Sequence, residues 1–202
     1  MEKISIGIEK RISLSVLELA LRATLDGTAS SAYFYELANA EGIGKNRAKK
    51  TVAVMNRMTL KNKLLPYIQE NKDAVESMMR NKFDRSLLFV AMMSGAYTIF
   101  YDTLAILGKY FHVQEEVSRE LLLKKLSEKY GNNRMLDVAF DCVMPMLVEA
   151  GFIEKPVPGV YMMRKQEKYT DEAKKIYRQA YSLNNPNYSD DVNMNPYFEF
   201  IK

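Results

Sequence analysis

From Ser86 to Gly108 the chain reads SLLFVAMMSGAYTIFYDTLAILG, and Asp102 is its one residue charged at neutral pH. A segment so poor in charge has to leave water, and few architectures can accommodate it. About 20 apolar residues span a bilayer, so length alone admits a membrane helix. Asp102, the polar Ser94, Thr98 and Thr103, and the lack of a second such run argue against one. A helix apolar on nearly every side is also what fills the centre of an all-α domain. That reading is adopted: one long buried helix over 84–108, and no membrane.

The rest of the composition agrees. With 202 residues the chain can bury a substantial core, and its 9 Gly and 6 Pro are few. Met, Leu, Ala, Lys and Glu are plentiful, so helix should dominate. A single cysteine, Cys142, permits no internal disulfide and suits a reducing cytoplasm. The opening MEKISIGIEKRISLSV has no long apolar core or small-residue cleavage site, so no signal peptide is read and a cytoplasmic location is expected.

Along the chain, Leu14, Leu17, Leu21 and Leu25 predict an amphipathic helix ending at Gly27. Thr28, Ser30 or Ser31 can cap a second helix running to Gly42. A Gly42-Ile43-Gly44 break leads into a third helix from Lys45 to about Leu60, and Pro66 marks a boundary. A short helix is expected near 72–80. Beyond the apolar helix, 115–131 and 132–151 read as helices stopped by Gly131 and Gly151. Two short apolar runs at 152–155 and 160–164, joined by Pro-Val-Pro-Gly, predict a β-hairpin. Helix, helix and hairpin in this order is the layout of a winged helix. Thr170 caps a last helix, and an Asn/Pro/Tyr-rich tail from 182 reads as an irregular arm whose Tyr197, Phe198, Phe200 and Ile201 could dock. Three parts follow: a helical part at 1–112, a winged-helix-like part at 113–181 and a tail at 182–202.

Charge is unevenly placed. Between Gly42 and Glu70 lie Lys45, Arg47, Lys49, Lys50, Arg57, Lys61 and Lys63 and no acidic residue. The whole chain is only +4, so the remainder sums to −3. Such a cluster is the footprint of a surface that meets phosphates. At 100° per residue, Arg47, Lys50, Arg57 and Lys61 fall in an arc of roughly 80°, away from Ala48, Val52, Met55 and Met58. The segment YELANAEGIGKNRAKKTVAVM also has the pattern of a helix-turn-helix, with Lys45, Asn46, Arg47 and Lys50 opening its second helix. In the winged-helix part, helix 135–150 carries Asp137, Asp141 and Glu149 without Lys or Arg, and Pro145 should bend it. Carboxylates there would be repelled by phosphates, so the hairpin is the better candidate, with Lys155, Arg164, Lys165 and Lys168 around Tyr161.

Chemistry is poorly represented. His112 is the sole histidine and is expected to be buried or interfacial; with one Cys, it builds no ordinary zinc site. There is no phosphate-cradling glycine loop, Asp190-Asp191 has no third acidic partner at nuclease-like spacing, and the Met pairs at 78–79, 92–93 and 162–163 read as core. No cofactor and no enzymatic activity are expected.

The runs GKNRAKKTVAVMNRM, RSLLFVAMMSGAYTIFYDTLAILGKYF and VMPMLVEAGFIE, in that order, resemble the BrxA family, small accessory proteins of BREX phage-defence systems. The resemblance covers roughly residues 10–155. It implies a mainly α protein with a NusB-like helical bundle joined to a winged-helix-like portion, which binds double-stranded DNA without catalysis beside other proteins of a defence complex. The contact candidates it carries over are Lys45 to Lys63. The acidic helix 135–150 and the long tail depart from the family pattern. Two other classes stay open: a winged-helix transcriptional regulator, and an adaptor that grips an acidic protein or RNA.

Overall fold

A computed structural model describes residues 6–131, 133–164, 168–187 and 195–202, and only the backbone of Lys45 and Asn46. Lys165 and the Asp190-Asp191 pair lie outside the described residues. Mainly helical architecture with a small antiparallel sheet is what the sequence predicts and what the chain adopts. The helices are α1 Leu14–Leu25, α2 Ser31–Ala40, α3 Lys45–Met58, α4 Leu65–Glu70, α5 Lys72–Arg80, α6 Lys82–Ala96, α7 Thr98–Phe111, α8 Arg119–Tyr130, α9 Met135–Glu149 and α10 Asp171–Asn184. The strands are β1 Glu116–Ser118, β2 Ile153–Glu154 and β3 Val160–Met163.

The apolar run does form the centre of the molecule, but not as one helix. It breaks at Tyr97 into α6 and α7, which meet at a bend of 120°. Among the described residues, no single helix is long and apolar enough to cross a membrane. The break has a physical cause. A buried helix end needs partners for its last carbonyls, and three of the four here come from distant parts of the chain. Asn62 Nδ2 donates to Met92 O, the Tyr97 N–H to Met93 O, Asn184 Nδ2 to Ser94 O and Arg57 Nε to Ala96 O. Tyr97 itself is extended (φ −138°, ψ 116°) and wholly buried. Asp102, the charge in the run, is 6% exposed and fully engaged, accepting from Lys129 Nζ at 2.7 Å and Tyr130 Oη at 2.5 Å.

Around α6, helix α10 packs along its length and parallel to it. Asp84 near the start of α6 accepts from the backbone N–H and the hydroxyl of Thr170 at 3.0 Å each, and Asn184 at the end of α10 reaches Ser94. Thr170 caps α10 as its sequence predicts, accepting from Ala173 N–H. The tail is not irregular throughout. Pro196–Ile201 forms a 3-10 helix lying on α7, and Tyr197, Phe198, Phe200 and Ile201 are all buried. Tyr197 stacks on Tyr177 at 4.3 Å between ring centres. His112 is not buried: it faces Glu199 of this 3-10 helix at 3.4 Å with a mostly exposed ring. Cys142 and the Met pairs at 78–79 and 92–93 are buried, whereas Met162 and Met163 are only half-buried.

The winged-helix-like part contains a strand that periodicity did not reveal. Residues 116–118, read as the start of a helix, pair antiparallel with β3, giving the order β1-β3-β2. Helix α7, strand β1, helices α8 and α9 and the hairpin therefore follow the winged-helix order. Since α7 also packs on α6, the buried cluster runs continuously across residue 112.

Candidate nucleic-acid interface

Helices α2 and α3 pack against each other across a short turn. Ser30 Oγ accepts from Tyr33 N–H and opens α2. Gly42 (φ 69°) turns the chain in a left-handed conformation that an L side chain resists. The Ile43 N–H then returns to Ala38 O at 3.2 Å. On α3, Ala48, Thr51, Val52, Val54, Met55 and Met58 are buried. Arg47, Lys49, Lys50 and Arg57, and beyond the helix Lys61 and Lys63, are exposed. The amphipathic division read from the sequence is therefore present.

The start of α3 works against its own dipole. Gly44 stands at the N-cap with no side-chain hydrogen bond, and the first turn contains no acidic residue. Cations at the positive end of a helix are unfavourable unless an anion joins them. Uncapped backbone N–H groups beside Arg47 make a chemically suitable place for a phosphate.

The candidates separate once contacts are assigned. Arg57 is an internal support as well as a surface cation: its Nε caps α6, and its guanidinium lies 4.4 Å from the centre of the Tyr97 ring. A Cβ on Gly7 would approach Arg57 Nη1 to 2.6 Å, so the N-terminal arm lies directly against the guanidinium. Lys50 is not free of acid either, because Glu9 of that arm pairs with it at 2.5 Å. A run without acids in sequence is thus not a surface without acids. Arg47, Lys49, Lys61 and Lys63 have no ion pair among the described residues.

On the hairpin, the Tyr161 ring is turned inward rather than out to solvent. It is 4% exposed, edge-on to Phe140 at 6.2 Å, and burial is the main cause raising its phenol above the usual value. A β-strand alternates faces, and β3 turns this ring inward. Arg164 is exposed but 3.5 Å from Glu154, while Lys155 is exposed and has no ion pair among the described residues. The acidic residues of α9 are exposed but paired. Arg119 holds Asp141 at 2.9 Å and Asp137 at 3.8 Å, and lies 4.7 Å from the Phe140 ring centre. Glu149 accepts from the Leu14 N–H at 2.8 Å and sits 3.6 Å from Arg11.

The arm that makes several of these contacts was missed in the sequence. Ile6, Ile8 and Ile12 are buried, and Gly7, Glu9 and Arg11 are exposed. The alternation in ISIGIEKRI is a signal that could have located it. No family model, curated protein or solved structure matches this chain.

Proposed function

We propose that the chain is a non-enzymatic, double-stranded DNA-binding accessory component of a prokaryotic phage-defence assembly of the BREX kind, working in the cytoplasm. It grips phosphates with α3. One observation carries the reading: helix α3, set against α2 across a tight turn, has a buried apolar face, exposed Arg47 and Lys49, and an N-terminus with no side-chain cap. Phosphate contacts of this kind fix position and strength of binding without reading sequence. The runs that resemble the BrxA family support the defence context.

The sheet order β1-β3-β2 supports a winged-helix fold, but not use of α9 as a reading helix in the manner of a regulator. The side chains that helix exposes include Asp137, Val138 and Asp141, which suit a groove of phosphates poorly. Purified protein would be titrated with a labelled duplex of about 25 bp, and with single-stranded RNA of matched length as competitor. Duplex binding that disappears in Arg47→Glu/Lys49→Glu, and is not displaced by RNA, is expected. Preference for RNA, or capture of an acidic protein with no duplex binding, would overturn the assignment. In a host carrying the defence system, the same variant is expected to lose phage restriction.

A further inference from the structure

We propose that the cleft between Arg11 of the N-terminal arm and Lys155 of the hairpin is a second phosphodiester-binding site, continuous with α3 and occupied by the same duplex. It rests on the reading of α3 as a phosphate-gripping helix. The arm is firmly placed, since Ile6, Ile8 and Ile12 are each less than 5% exposed. Its outward residues lead away from α3. Gly7 lies against Arg57, Glu9 reaches Lys50, and two residues later Arg11 stands over α9. There it enters a cleft of about 350 Å³ with Lys155, over a floor of Met144, Pro145, Val148 and Tyr161.

The chemistry of this cleft selects its occupant. Two cations stand at the rim of a mainly apolar floor. Glu149 neutralises Arg11 only in part, because the two groups stand 3.6 Å apart and the carboxylate already accepts from Leu14 N–H. Half of the Arg11 side chain remains exposed, leaving guanidinium N–H donors for an oxygen. A phosphodiester offers anionic oxygens to Arg11 and Lys155 and an apolar sugar edge to Met144 and Val148. In this site the hairpin joins the interface through Lys155, and α9 contributes only the apolar floor of Met144, Pro145 and Val148 beside the engaged Glu149. The arm runs from the basic helix, where Glu9 meets Lys50, to the end of α9, where Arg11 meets Glu149.

The test uses the full chain and a labelled duplex of about 25 bp, with affinity measured across salt concentrations. Arg11→Ala/Lys155→Ala is compared with wild type, with Arg47→Ala/Lys49→Ala and with the charge-preserving Arg11→Lys/Lys155→Arg. Removing one phosphate-binding cation lowers the slope of log K against log salt by about 1. The cleft variant is therefore expected to lose about 2 in slope, the charge-preserving variant to keep most of it, and thermal midpoints to stay near wild type. A wild-type slope in the cleft variant, with the α3 variant still weakened, overturns the cleft and leaves α3 standing. No duplex binding by wild type at low salt overturns both. Should the Arg11 substitution impair folding, Lys155→Ala alone, at an exposed wing position, decides with an expected loss of about 1 in slope.

Discussion

Arg57 and Arg47 are ten residues apart on one helix, and the structure gives them different work. Arg57 supplies a carbonyl cap to α6 and lies over Tyr97, so Arg57→Ala is expected to cost about 1–3 kcal/mol of stability in urea unfolding. Arg47→Ala is expected to leave the unfolding midpoint near wild type and to weaken duplex binding. Glu9 competes with phosphate for Lys50, so Glu9→Gln is expected to tighten duplex binding a few-fold at low salt and to lose that gain as salt screens it. Equal affinity of Glu9→Gln and wild type at every salt concentration would contradict this role. Asp102 belongs to the stability class. Its removal leaves the Tyr130 hydroxyl buried without an acceptor, and Asp102→Ala should cost about 1–3 kcal/mol. These distinctions were not legible in the sequence, where all four basic residues of the arc look alike. Spacing reports which face a residue occupies, whereas its partners arrive from positions as distant as Glu9 and Ala96.

At the level of elements, local signals carried far. Ser30 and Thr170 cap the helices their spacing announces, and the buried stripe of α3 follows a period of 3.6. The failures have tertiary causes. Tyr97 ends α6 because Asn62, Arg57 and Asn184 converge there from remote segments to cap its carbonyls, and nothing local to Ser94-Gly95-Ala96 encodes their arrival. Strand β1 is three residues long and exists because β3 offers it an edge. The docked 3-10 helix was half visible: its aromatic residues signalled burial, but its seat did not. That seat depends on Gly108, where an added Cβ would lie 1.9 Å from Pro196 O. Gly108→Ala is therefore expected to unseat Pro196–Ile201, destabilise the protein on the order of 1–3 kcal/mol and make the C-terminus sensitive to limited proteolysis.

For the whole molecule, burial of tyrosine couples stability to alkaline pH. Burial pushes Tyr97 and Tyr101 from 10.0 up to about 12, and raises Tyr169, Tyr177 and Tyr197 as well. Unfolded tyrosines release their protons near 10, whereas the folded ones hold them. Their stabilising contribution is thus complete below pH 10 and disappears as pH rises from 10 through 12. Urea midpoints should be unaffected by tyrosine titration below pH 9 and should fall steadily above pH 10. At the same scale lies the central claim, that one face centred on α3 holds duplex phosphates while Arg57 and α9 serve the fold. The most direct measurement is the salt dependence of duplex binding by wild type, Arg47→Ala/Lys49→Ala and Arg57→Ala. The account predicts a steep fall of wild-type affinity with salt, a slope shallower by about 2 for the α3 pair, and a wild-type slope for Arg57→Ala under conditions where it stays folded. Wild-type affinity that ignores salt, or a pair variant that binds as wild type does, would contradict it.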